Sequence, residues 1–180
     1  GNPKKGVENA VKYADFAIGR LFELAKKETY YKDTVFVVVA DHNIRVYGDD
    51  LVPVNMFHIP ALIIADGVSP QKFDRLATQP DVLATALDLI GVDLTYPVLG
   101  HSLYSDTKQD MALMLFNDTF ALRVKEKVAI IQPNKEALTF TYKNEHLKPS
   151  VHDTELERDA LAFVTVMDDM YNKKLYRVAK

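Results

Sequence analysis

The run Val35–Val39, Val-Phe-Val-Val-Val, most constrains what this chain folds into. Consecutive β-branched and aromatic residues with no polar alternation describe a strand buried on both faces, the kind found inside a parallel sheet. The run stops at Asp41 and His42. In open α/β sheets, ligands and chemistry gather just beyond the carboxyl ends of the strands. An Asp-His pair there offers one carboxylate oxygen and one imidazole nitrogen, donors suited to Zn²⁺ or Mn²⁺. The dipeptide alone leaves two readings open. It starts a metal site, or it is loop chemistry in which Asp caps the next element and His sits half exposed.

Upstream, Val7 to Lys27 reads as a helix. Val7, Ala10, Val11, Ala14, Ala17, Ile18, Leu21 and Phe22 recur at three- and four-residue spacing and predict one apolar face laid on the sheet. Downstream, Asn43 to Phe57 is a loop with Gly48, Asp49, Asp50 and Pro53, placed to wall the site. Within it, Arg45 is the candidate substrate contact, through its bidentate fork, with Tyr47 beside it; the alternative is an ordinary surface loop. His58-Ile-Pro60 opens a second buried strand, Ala61 to Ala65. In a parallel sheet His58 then lies at the edge opposite the site, and it is read as structural.

Gln79-Pro80-Asp81 opens another helix, with Pro at the first helical position and Asp at the positive amino end. Val82, Leu83, Ala86, Leu87 and Ile90 predict its buried stripe, and Gly91 its stop. Asp81 and Asp88 are read as helix-start chemistry and a solvated flank, not as paired catalytic carboxylates. Gly100-His101-Ser102, in a loop over 94–105, sets a Ser beside a His, but side chains adjacent in sequence diverge and make a poor nucleophile–base pair.

From Met111 the texture changes. Met111–Phe116, Phe120–Val124, Val128–Gln132 and Leu138–Tyr142 are short apolar or alternating runs separated by Asn117-Asp118, Lys125-Glu126 and Pro133-Asn134. That pattern predicts a small antiparallel meander. Asn144 to Asp153 reads as a linker turn. Thr154 caps a final helix, with Glu157 completing a capping box. Its apolar face is Leu156, Ala160, Phe163, Val164, Met167 and Met170 or Tyr171. The fold class expected is therefore α/β: a partly parallel sheet flanked by helices, with a small antiparallel extension toward the C-terminus. Residues 1–180 are read as one domain, 1–105 its α/β part and 106–180 its antiparallel strands and last helix.

Composition excludes several functions. A net charge of −3 argues against a nucleic-acid binder. It leaves room for a small anionic substrate, because a bound metal dominates its local field. With no cysteine there are no disulfides, no thiolate catalysis and no Cys-based zinc site. Seven glycines and no dinucleotide fingerprint speak against a flavodoxin-like or Rossmann site. No run approaches the roughly 18–20 apolar residues of a spanning helix. Gly1-Asn2-Pro3-Lys4-Lys5 is not followed by the apolar core of a signal peptide. The absence of an initiator Met is read as a piece cut from a longer protein.

Five stretches in this order, Asn9 to Leu24, Asp33 to His42, His58 to Ile64, Pro80 to Val92 and Leu99 to Leu103, resemble the C-terminal half of a sulfatase/alkaline phosphatase superfamily catalytic domain. The likeness runs over residues 7–131 and is greatest for the lipoteichoic acid synthase and phosphoglycerol transferase group, although Asn43 stands where Gly or Tyr is more usual. The resemblance implies an alkaline phosphatase-like fold. It implies a divalent metal (Mn, Zn, Mg or Ca) held by Asp41 and His42. The remaining ligands and the Thr, Ser or formylglycine nucleophile would come from the N-terminal half of the same catalytic domain, so no residue here is given the catalytic role. It further implies a lipid or glycan ester substrate, phosphate or sulfate. The location implied is extracytoplasmic, in a parent anchored by N-terminal membrane helices. The fragment alone would be inactive and prone to self-association. A rival reading makes the chain a non-catalytic structural or binding module with a vestigial Asp-His pair.

Overall fold

The computed structural model describes residues 6–43, 47–92, 99–106 and 109–177. In chain order it contains α1 (Gly6–Ala25), a 3-10 turn (Thr29–Asp33), β1 (Phe36–Val39), a second 3-10 turn (Val54–Phe57), β2 (Ala61–Ile64) and α2 (Gln79–Ile90). Then follow β3 (Met111–Phe116), β4 (Thr119–Val124), β5 (Lys127–Ile131), β6 (Leu138–Lys143), β7 (His146–Pro149) and α3 (Thr154–Asn172). β1 and β2 form a two-stranded sheet, and β3 to β7 form a five-stranded sheet in sequential order. Every pairing in the larger sheet is antiparallel. The α/β class is as the sequence implies, but among the described residues the sheet pattern is antiparallel where a partly parallel sheet was expected, and the antiparallel part, expected as a small extension, is the larger sheet.

The chain divides into two compact units, Gly1–Phe36 with Ile63–Pro70, and Val37–Leu62 with Gln71–Lys180. In the first, Phe22 of α1 meets the Phe36 ring edge-on at 5.3 Å, and Tyr31 tilts against the same ring at 5.3 Å. Ala25 is buried, but most of the apolar face of α1 is open, with Val7 55% and Val11 63% exposed.

The second unit is built on the meander. Side chains alternate across a strand, and here both faces of β4 and β5 are covered. Ala121, Val128 and Ile130 pack with Val52 and Val54 on one face. Leu122 and Ala129 pack with Leu156 and Ala160 of α3 on the other. Two-sided burial explains why these strands read as apolar runs. The far part of the 47–57 loop, expected as a wall of the site, is thus core: Val52 and Val54 are buried, and Asp50 accepts from the Leu147 N–H of β7 at 3.2 Å.

Three expectations change. β7 falls where a linker was read. Lys143 and His146 face each other across a two-residue turn with positive φ at Asn144 (53°) and Glu145 (65°). Primed hairpin turns require such angles and usually advertise them with Gly; Asn-Glu does not. The cap of α3 is Asp153, which accepts from the Leu156 N–H at 3.2 Å, not Thr154. Glu157 turns toward the meander, accepting from the Thr139 hydroxyl at 2.6 Å. Only the first half of the predicted α3 stripe is covered, since Met167 and Tyr171 are exposed.

Candidate metal centre

β1 does not have the two buried faces its sequence predicts. Phe36 and Val38 are half buried, whereas Val37 and Val39 are 41% and 40% exposed. The multi-stranded sheet expected around it is, in this chain, a pair of four-residue strands, too small to be covered on both sides. The strand still delivers Asp41 and His42 at its carboxyl end. The Ala40 N–H donates to the Pro60 carbonyl at 3.2 Å, so the start of β2 lies beside the end of β1. His58, two residues before Pro60, therefore belongs to the site edge and not to the opposite one. It is exposed, and its backbone N–H closes the second 3-10 turn on the Asn55 carbonyl.

At the pair itself, Asp41 Oδ1 accepts from the His42 N–H at 2.8 Å. His42 Nδ1 lies 2.6 Å from the Asn43 carbonyl. A carbonyl only accepts, so in this contact Nδ1 is the donor and Nε2 is the nitrogen turned toward Asp41. Such a backbone contact orients metal-ligating histidines. Nε2 stands 3.4 Å from Asp41 Oδ2. Two donors at about 2.0–2.1 Å from one tetrahedral ion lie roughly 3.3 Å apart, so the spacing suits a shared cation as well as the direct His–Asp contact. The side chains are open to solvent, His42 73% and Asp41 86% exposed. Among the described residues no group of three or more His, Cys, Asp or Glu is placed to hold an ion. Among the described residues the pair offers two donor atoms and no third. Arg45, the expected substrate contact, lies outside the described residues.

α2 and the loop after it brace this edge. Asp81 is 5% exposed. Its Oδ2 accepts from the Thr78 N–H at 2.8 Å and the Thr78 hydroxyl at 2.9 Å, the backward reach of a capping box. Its Oδ1 accepts from the His101 N–H at 2.9 Å. Thr85 continues the seam, donating to the Asp81 carbonyl at 2.7 Å and accepting from the Leu103 N–H at 2.9 Å. Gly91, at φ 75°, ends the helix as read. The buried side of α2 is Asp81, Val82, Ala84, Thr85 and Ala86; Leu83 and Ile90, placed in the stripe by periodicity, are exposed. Asp88 is a flank whose Oδ2 accepts from the Ser102 hydroxyl at 2.6 Å. Ser102 is thereby a loop tie, and Ser102 and His101 form no nucleophile–base pair.

One residue that sequence reasoning missed touches the pair's own backbone. The Gln79 side-chain amide donates to the Ala40 carbonyl at 2.9 Å and the Asp41 carbonyl at 3.0 Å. A contact across 38 residues leaves no periodic signal.

Residues 7–92, the stretch from α1 to α2 that contains Asp41 and His42, match the Sulfatase family model. A solved structure of a protein in the alkaline phosphatase superfamily from Vibrio parahaemolyticus is similar over 99% of this chain, with 35% sequence identity and a TM-score of 0.92. The fold is accordingly an alkaline phosphatase superfamily fold. Within it, the candidate pair lies in the Sulfatase-like segment. The chain covers 45% of that Vibrio protein. Among the described residues no helix is long and apolar enough to cross a membrane.

Proposed function

We propose that this chain is the C-terminal portion of a metal-dependent sulfatase-like enzyme, and that Asp41 and His42 are its contribution to the catalytic metal. The observation that carries the reading is the 3.4 Å approach of His42 Nε2 to Asp41 Oδ2 at the end of β1, inside the Sulfatase-matching segment. The metal, when bound, polarises an ester oxygen and favours deprotonation of a hydroxyl nucleophile. Asp41 and His42 hold the ion, and Asn43 fixes the imidazole through its carbonyl. The other ligands and the nucleophile come from the remainder of the domain, which is this chain's partner. The ester is a phosphate of the phosphoglycerol type or a sulfate, on a lipid or glycan. The parent acts outside the cytoplasm from a membrane anchor.

The test is calorimetric titration of Mn²⁺ and Zn²⁺ into the chain and into Asp41→Ala/His42→Ala. Weak binding that disappears in the double variant supports the reading. Equal heats from the two proteins overturn it in favour of a non-catalytic module.

A further inference from the structure

We propose that Gln79 is a positioning residue for the Asp41–His42 pair, an inference that rests on reading the pair as a metal-binding half site. The argument starts from backbone accounting. β1 ends at Val39, so the carbonyls of Ala40 and Asp41 lie beyond the strand. The His42 N–H bonds only back to the neighbouring Asp41 carboxylate, so without a partner for the two carbonyls the peptide groups on either side of Asp41, and with them the direction of its side chain, would be held by local contacts alone. A primary amide carries two N–H donors. Gln79 places one nitrogen within hydrogen-bond distance of both carbonyls, at 2.9 and 3.0 Å. Two consecutive peptide groups are thus clamped by a single atom.

The clamp is anchored. Gln79 is the first residue of α2 and sits between Thr78 and Pro80. Its backbone is fixed on one side by the bonds from Thr78 to Asp81, and on the other by the proline ring. The ligand side chains are exposed and lack surrounding packing, so their geometry depends on the backbone that carries them. A preorganised ligand pair loses less conformational freedom when it binds. The role assigned to Gln79 is to supply that preorganisation through the main chain, without touching the ion.

The experiment compares the 180-residue chain with Gln79→Leu, which removes the donors, and Gln79→Glu, which keeps the shape and replaces them with acceptors. Two readouts are used. Mn²⁺ affinity by calorimetry is expected to fall about tenfold in both variants, the lower end for loss of an outer support. Amide hydrogen exchange at His42 and Asn43, measured without metal, is expected to speed up in both, with the thermal midpoint unchanged because Gln79 is exposed. Exchange at wild-type rates in both variants overturns the positioning role, whatever the metal does. Where the wild type binds Mn²⁺, an affinity unchanged in both variants overturns it too. Faster exchange in a chain whose wild type binds no Mn²⁺ upholds the clamp and removes the metal reading, so the two failures are told apart.

Discussion

The backbone N–H of His101 donates to Oδ1 of Asp81 at 2.9 Å, across 20 residues of sequence. The bond closes the loop after α2 onto the first turn of the same helix, the turn that carries Gln79. Asp81 is nearly fully buried and meets donors from Thr78 with its other oxygen. Hydrogen bonds to a charged group are each worth about 1.5–3 kcal/mol, and buried donors left alone cost a similar amount. Asp81→Ala is therefore expected to lower unfolding free energy by about 3 kcal/mol. Asp81→Asn should lose less, since one oxygen still accepts. Urea unfolding measures both. A loss within about 0.5 kcal/mol, ordinary for a surface change, would show that the carboxylate anchors nothing.

The same seam depends on Gly100 for space. A Cβ at that position would run into the Pro80 carbonyl group and lie 2.6 Å from the Asp81 nitrogen, all backbone atoms. Neither can swing aside as a flexible side chain would. Gly100→Ala must push the loop off α2 and break the His101–Asp81 bond, at a cost of about 1–3 kcal/mol typical of overpacking. Because both substitutions break that bond, Gly100→Ala combined with Asp81→Ala should destabilise by less than the sum. Full additivity in urea unfolding would separate the glycine from the carboxylate.

What the sequence made legible follows the range of each signal. The start of α2 was written locally, in Pro80 and Asp81, and its end in Gly91; periodicity alone misplaced Leu83 and Ile90 because it reports amphipathicity and not which neighbour is present. β7 was hidden because Asn144 and Glu145 take positive φ without a glycine to announce it. Asp41 and His42 were visible because polar residues ending an apolar strand are a local pattern. Gln79, Asp81 with His101, and Asp50 with Leu147 were not, because each joins distant segments through single hydrogen bonds. The two-sided burial expected for β1 was a statement about a larger sheet than the two strands formed here.

A pH dependence follows at the cap of α3. The Asp153 carboxyl is held below its ordinary value, first by its hydrogen bond from the Lys127 ammonium and then by the Leu156 N–H, with desolvation opposing. The native state therefore binds this proton less tightly than the unfolded chain does. The stabilisation is fully present above the unfolded carboxyl value and is lost as pH falls through the lower folded value. Lys127→Met should remove the larger cause and leave the N-cap bond. Thermal midpoints measured from neutral to acid should fall less steeply in Lys127→Met than in the wild type, and the two curves should converge at the acid end. Parallel curves would mean that the ion pair does not couple to folding.

The open face of α1 carries the last prediction. Val7, Val11, Ile18 and Leu21 share one face of this 20-residue helix, and all are more than a third exposed. Soluble monomers rarely leave contiguous apolar surface of more than a few hundred Å² uncovered. By the proposed reading, the rest of the catalytic domain covers this face. Deprived of that cover, the chain is expected to self-associate, with apparent mass rising with concentration in sedimentation experiments. Val11→Asp and Leu21→Asp should each shift the population toward monomer. Neither side chain is buried within the chain, so stability should change by no more than about 0.5 kcal/mol. A wild-type chain that sediments as a monomer at all concentrations would break the argument, because the face would then tolerate water without a partner.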